Sequence, residues 1–205
     1  MGLSTEISQL KHKAINVLDS FLSALFSSSD ARKQKQCALL SYWIVDYVRM
    51  LRRENSTVSY RRFKRGDIVK VHLGYRVGHE EGGLHYAVVL NTNDSPKNSV
   101  LTVVPLTSLK SAAKINHLGF GDVFIGSELL QQMYDKIQAG GNGLLTKDAA
   151  KLKWGSIALT NQVVTVSKIR IYDPVKNSDP LSGIRLASAT MEKIDEKLRL
   201  MFFDA

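Results

Sequence analysis

The stretch FKRGDIVKVHLGYRVGHEEGGLHYAVVL, residues 63–90, decides how the chain is read. Within GDIVKVHL, Val69, Val71 and Leu73 fall on one side of an extended segment and Lys70 and His72 on the other. That period of two belongs to a strand with one buried face. A polar, glycine-bearing loop, GYRVGHEEGG, then turns the chain, and a second strand, LHYAVVL, starts directly after Gly82 and Gly83 with His85 near its beginning. An imidazole leaving a cationic loop at a strand end is suited to holding and straining a phosphodiester.

Outward from this core the pattern continues. After the polar turn NTNDSPKNS comes VLTVVPLTS, a third strand that delivers Thr107 and Ser108 at its end. Pro105 within it argues for a strand end or an edge strand. GDVFI and SIALTNQVVTVSKIRIY supply further short strands. Strands at this spacing predict a small, highly curved antiparallel sheet or barrel. Residues 128–137 read as a helix, GGNG at 140–143 as a turn and 146–153 as another short helix. Together they form an insertion at about 126–153, placed in a loop where added chain is tolerated. In the last segment, TMEKIDEKLRLMFF, Met191, Ile194, Leu198 and Met201 line one face of a helix.

Upstream, Ile7, Leu10, Ala14, Leu18, Leu22 and Leu25 recur at helical spacing over 6–26. SSSD at 27–30 is a loop, with Asp30 a good cap for the next helix. That helix carries Leu40, Ile44, Tyr47, Val48 and Leu51 on one broad face, with Trp43 beside them. Neither stripe is buried by its own helix, so a helical hairpin packed on the rest of the chain, on a second copy or on a partner is expected. The reading by region is therefore an N-terminal helical hairpin over 1–55, a basic linker over 56–62, and an α+β domain over 63–205.

The 205 residues carry a formal charge of +9, which favours an anionic partner over a merely solvated basic face. Cys37 is the one cysteine, so there is no disulfide framework and no zinc cluster, and buried filler is its best reading. His72 and His117 stand too isolated to mark a metal site, and no glycine pattern marks a bound nucleotide cofactor. The start of the chain lacks the features of a signal peptide, and CALLSYWIV is too short to span a bilayer, so no membrane association is expected and the cytoplasm is the default.

Several side chains can carry chemistry. Histidine is the side chain whose charge changes near neutral pH, so a residue of this type at position 85 can move a proton or donate to phosphate. By alternation it shares a side with Ala87 and Val89, which favours a structural role; its place after the glycine pair favours a functional one. Thr107 fits ordinary strand propensity equally well, although Ser108 beside it marks a strand end where hydroxyls reach a ligand. In the loop, Arg76 suits phosphate through its planar fork, and a carboxylate from Glu80 or Glu81 takes a proton or pins the loop. Lys64, Arg65, Lys70 and Arg76, behind the run Arg61–Arg62, make the wall of an RNA groove, where phosphate contacts give affinity. Tyr75, Tyr86 and Phe63 are candidates for stacking on unpaired bases, with core packing the better reading for Phe63.

Taken together, KRGDIVKV, VGHEEGG, HYAVVL, VLTVVPLTS and, more weakly, SIALTNQVVTVSKIRI with the terminal helix resemble the MazF/PemK family of toxin endoribonucleases. The resemblance covers about 63–125 and 155–203. It implies an SH3-like curved barrel with accessory helices, a homodimer, and metal-independent cleavage of single-stranded RNA to 2′,3′-cyclic phosphate and 5′-hydroxyl ends. It also implies an acidic antitoxin that blocks the RNA groove. The family threonine that ends the third strand falls on Thr107. The family arginine after the glycine pair falls on His85, the main departure, and the loop acid and the polar residue before it fall on Glu80 and His79. On this resemblance His85 is base or acid, Thr107 stabilises the phosphate, Glu80 and His79 assist, and Arg76 or Arg65 steadies the phosphate. The alternative is a folded nucleic-acid-binding or regulatory protein that no longer cuts.

Overall fold

A computed structural model describes residues 2–54, 59–140 and 143–204, without the side chain at 144. The linker read at 56–62 and the turn at 140–143 fall partly outside these residues. The chain divides into two compact units, Met1–Leu51 and Arg52–Ala205.

In the first unit, α1 spans Leu3–Phe26 and α2 begins at Ala31; α2 runs on to Glu54, past the boundary at Leu51. Asp30 starts α2 as its side chain accepts from the Arg32 N–H at 2.8 Å, satisfying one of the free amides of the first turn. Near the turn, the Cys37 thiol donates to the Leu22 carbonyl at 3.5 Å. Leu25 is buried, whereas Ile7 and Leu10 of the same apolar stripe are exposed. No helix among the described residues is long and apolar enough to cross a membrane.

Among the described residues, the second unit is built on seven antiparallel strands: β1 Ile68–His72, β2 Leu84–Val89, β3 Val100–Ser108, β4 Asp122–Gly126, β5 Ser156–Leu159, β6 Val164–Ser167 and β7 Ile171–Asp173. They lie in the order β4-β5-β3-β2-β1-β7, with β6 alongside β3. The curved barrel expected from the sequence does not form, because β4 and β7, at the two ends of the sheet, do not pair with each other and it stays open. The physical cause lies in β3. Its first half, Val100 to Val103, pairs with β6, and its last three residues, Leu106 to Ser108, pair with β5. The sheet forks there instead of closing.

Pro105 also departs from expectation. It stands within the long central strand, opposite Ala87 of β2, and not at an end or on an edge. The fork explains the tolerance: Val104 and Pro105 fall between the β6 and β5 pairings, so on that side no ladder is interrupted.

Alternation sends the two faces of the sheet to two cores. On one face Val69, Val71, Ala87, Val89, Leu101 and Val103 pack with Phe63, Val166 and Ile171. On the other, Ile68, Val88, Val104, Leu106 and Ala158 are covered by three helices. These are α3 Glu128–Gln138, α4 Gly143–Ala149 and α5 Ser188–Phe202, contributing Leu129 and Met133, Leu145, and Met191 and Ile194. Below the first core, Lys168 and Asp94 form an ion pair whose side chains are 1% and 0% exposed. The Lys168 ammonium also reaches the carbonyls of Ser95 and Arg61, and Asp94 accepts from the Phe63 N–H, so both buried charges are fully engaged.

Candidate functional site

β1 and β2 run antiparallel with Val71 opposite His85 and Lys70 opposite Tyr86, so the loop between them ends beside His85. Its base closes through the Leu73 N–H to Gly83 and the Gly83 N–H to Gly74, both at 2.7 Å. Gly82 is required there: a Cβ would lie 2.9 Å from the Gly74 carbonyl oxygen. Gly83 adopts φ +80°, open to glycine at no steric cost. Inside the loop, the Arg76 Nε donates to the Leu73 carbonyl at 2.9 Å and its Nη1 meets Glu80 at 3.4 Å. The Gln162 side chain holds the outer limb, accepting from the Glu81 N–H at 3.1 Å and donating to the His79 carbonyl at 3.3 Å.

The His85 ring is held from both sides. Its Nε2 is 2.9 Å from Glu81 Oε1, and its Nδ1 is 3.3 Å from the Leu106 carbonyl oxygen. Both neighbours are acceptors, so a neutral ring satisfies one of them at a time. The register Tyr86 to Leu106 places the next residues, His85 and Thr107, side by side on β2 and β3. The loop acid that meets the imidazole is thus Glu81, whereas Glu80 pairs with Arg76. His79 is exposed and is held through its backbone.

The remaining residues singled out in the sequence are spread more widely. Arg65 donates to the Leu90 carbonyl and to Asp195 of α5, at the far end of β2 from His85. Five residues of strand put it about 16 Å along β2. Lys64 is exposed nearby, its N–H donating to Asp67. Tyr75 is half-buried in the loop. Lys70 and Ser108 lie on the helix-covered face with Tyr86 and Leu106, opposite the face that alternation gives His85 and Thr107.

On that covered face a cleft of about 250 Å³ opens between the sheet and the inserted helices, with His85 and Thr107 on its border. Its centre is Asp148 of α4. One carboxylate oxygen accepts from the Lys70 ammonium at 2.6 Å and the Tyr86 hydroxyl at 2.7 Å, and the other from Lys151 at 2.8 Å. Burial alone raises the Asp148 pKa, but the bonds from Lys151, Lys70 and Tyr86 outweigh it and hold it at about 2. Burial, and then the bond to Asp148, push the Tyr86 phenol well above its ordinary value, so it remains a donor. Asp173, opposite Lys70 on β7, is pushed up by burial, against the hydrogen bond from the Leu181 N–H.

Asp148, Lys151, Lys110 and Ser156 join this cleft without having been singled out in the sequence. Nothing local marks Asp148, because its partner Tyr86 is 62 residues away. Among the described residues, no three His, Cys, Asp or Glu side chains gather as a metal site.

The sequence matches one protein family over residues 64–202, the PemK-like, MazF-like toxin of type II toxin-antitoxin system. Among solved structures, the chain is similar to a crystal structure of MazF (Form-I) from Deinococcus radiodurans. Identity is 15%, the TM-score is 0.42, and the match covers 69% of this chain and 96% of that one. No curated protein matches the chain.

Proposed function

The chain belongs to the PemK-like, MazF-like family of toxins of type II toxin–antitoxin systems, and from that premise we propose that it is an endoribonuclease cutting single-stranded RNA without a metal ion. The observation that carries this reading is the Glu81–His85 pair at the start of β2, with Thr107 on the neighbouring strand. In the reaction the ribose 2′-oxygen forms a bond to phosphorus and the bond from phosphorus to the 5′-oxygen breaks. The products are a 2′,3′-cyclic phosphate and a 5′-hydroxyl. His85 moves the proton, taking it from the 2′-hydroxyl or giving it to the departing 5′-oxygen. Glu81 orients the ring, Thr107 donates to a phosphate oxygen, and Arg76 supplies positive charge near the phosphate. Glu80 steadies Arg76, and His79 stands at the loop tip to meet the RNA.

A second reading has its own observation. Both His85 nitrogens and the Arg76 Nε and Nη1 already have partners within the chain, as in a site that binds RNA without cutting it. The two readings separate in one experiment. A long unstructured RNA incubated with the protein and excess chelator should yield discrete fragments ending in cyclic phosphate. His85→Ala should slow this by about 10²–10⁴-fold with an unchanged circular dichroism spectrum. Intact RNA bound with a steep salt dependence would instead establish the non-cutting reading.

The net charge of +9 supports an acidic antitoxin segment as the protein partner. A homodimer is the proposed working form and the cytoplasm the proposed compartment. Sedimentation of the full chain tests the first, and growth arrest relieved by a co-expressed acidic partner tests the toxin–antitoxin role.

A further inference from the structure

The first helix carries a pattern that the RNA chemistry does not use. Along α1, Leu3, Ile7, Leu10, Ala14, Val17 and Phe21 follow one another at intervals of 4, 3, 4, 3 and 4 residues. These are the d and a positions of a heptad repeat sustained over about three heptads, the seam of a coiled coil. Nothing in the helix interrupts it, since Leu3–Phe26 contains neither glycine nor proline. The seam is uncovered: its five larger side chains are 47–73% exposed, and Ala14 is exposed with them. The flank of α1 used at the turn is a different one. There Leu18 and Leu22 are half-buried, Leu25 is buried, and Cys37 of α2 meets the Leu22 carbonyl.

Shape and charge together say what covers this seam. Ile7 at a, between Leu3 and Leu10 at d, is the combination that favours two parallel strands. The small Ala14 leaves a dip between Leu10, Val17 and Phe21, part of one apolar groove that can receive a knob from a facing helix. Glu6 stands at the g position before Ile7, and Lys11 at the e position after Leu10. In a parallel pair of identical helices each g residue faces the e residue five places later on the other helix. Glu6 of each copy therefore faces Lys11 of the other, and the next g residues, Lys13 and Ser20, face Leu18 and Leu25. No like charges meet. An antiparallel pair with the seams fully overlapped sets Lys11 against Lys11 and Lys13 against Lys13, which charge repulsion disfavours.

We propose that α1 is a self-association helix, pairing with α1 of a second copy in a parallel, in-register coiled coil held by Glu6–Lys11 contacts on both flanks. Ile7, Ala14 and Phe21 each then meet their own counterpart across the two-fold axis. The family match begins at residue 64, so this surface lies outside the part of the chain that the family describes. The proposal rests on the homodimer named above, for which it supplies a surface, and not on RNA cleavage.

The test uses the full chain carrying Cys37→Ser, which removes the one native thiol. In that background Ala14→Cys should cross-link two copies under mild oxidation, because identical a positions are neighbours only in a parallel, in-register pair. Asn16→Cys, on the opposite side of the helix, should not. Sedimentation of the chain with its native thiol then reads the charges. Glu6→Lys should raise the dimer dissociation constant about fivefold to tenfold, and Glu6→Lys with Lys11→Glu should restore it. That rescue separates helix pairing from simple damage to α1. Failure of Ala14→Cys to cross-link, equal cross-linking at positions 14 and 16, or charge variants that all sediment like wild type would each overturn the proposal. A dimer that persists without the Ala14→Cys cross-link and ignores Glu6→Lys keeps the homodimer and loses this surface. A monomer loses both, and an Ala14→Cys thiol that resists alkylation in that monomer shows the seam covered from within the chain.

Discussion

Glu81 Oε1 lies 2.9 Å from His85 Nε2, across the two glycines that end the loop. Glu80, one residue earlier, turns the other way to Arg76 at 3.4 Å and is the more exposed of the two acids. Adjacent carboxylates therefore have separate duties, one orienting the imidazole and one bracing the loop.

Glu81→Gln should lower RNA cleavage by about tenfold to a hundredfold, the worth of one hydrogen bond to a charged group. Glu80→Gln should change it by less than about threefold, as expected for an exposed ion pair. Initial rates on one RNA substrate compare the two, and equal losses would contradict the division of roles.

Asp148 ties the inserted helix to the sheet, and its stabilisation has a definite pH window. Its folded pKa of about 2 lies below the ordinary 3.8, so the unfolded chain binds more protons between these values. The contribution is complete above pH 4 and is lost as pH falls through 2. It amounts to about 2 kcal/mol. Asp148→Asn should be less stable than wild type at pH 7, with the difference shrinking toward pH 2 in urea denaturation. Asp173, raised by burial, acts with the opposite sign: its charged form is disfavoured, so stability from this group falls as pH rises past its ordinary value. It is common to both proteins and cancels in the comparison.

Lys168→Met should be among the most damaging single changes in the second unit. It leaves Asp94 charged and buried without its counter-ion, a loss of roughly 3–5 kcal/mol. Chemical denaturation should show this without any need for RNA, and a change below about 1 kcal/mol would mean that water reaches the pair.

Gly82→Ala forces a methyl group to within 2.9 Å of the Gly74 carbonyl oxygen, so the loop base must shift. A stability loss of roughly 1–3 kcal/mol is expected from such overpacking. The more telling result is functional: the shift moves Glu81 relative to His85, so cleavage should fall further than the thermal midpoint alone accounts for.

The sequence made some of this legible and concealed the rest for physical reasons. In β1, Val71 stands between the half-buried Lys70 and His72, and that local period shows where the strand runs and which residues share a side, while Ala87–Val89 of β2 are buried on both faces and read as a continuous apolar run. The inserted helix over Glu128–Gln138 was readable in the same way, from a local period of 3.6. The open sheet was not. Closure depends on which strand meets each half of β3, a matter of long-range register that no local pattern encodes. The choice between Glu80 and Glu81 was equally hidden, because a glycine-bearing loop has no period to say which side chain turns inward. Asp148 belongs to a short helix whose sequence gives no hint of Tyr86 and Lys70 beneath it.

The forked strand has a consequence for how a proline can stand inside a sheet. A buried backbone amide without a partner costs free energy, and a gap between two ladders is where one is left over. At that gap β3 places Pro105, which is buried and has no amide hydrogen to leave over. A chain with valine in its place would keep the fork and add a backbone N–H to this buried gap, so the proline removes a cost that the fork would otherwise impose.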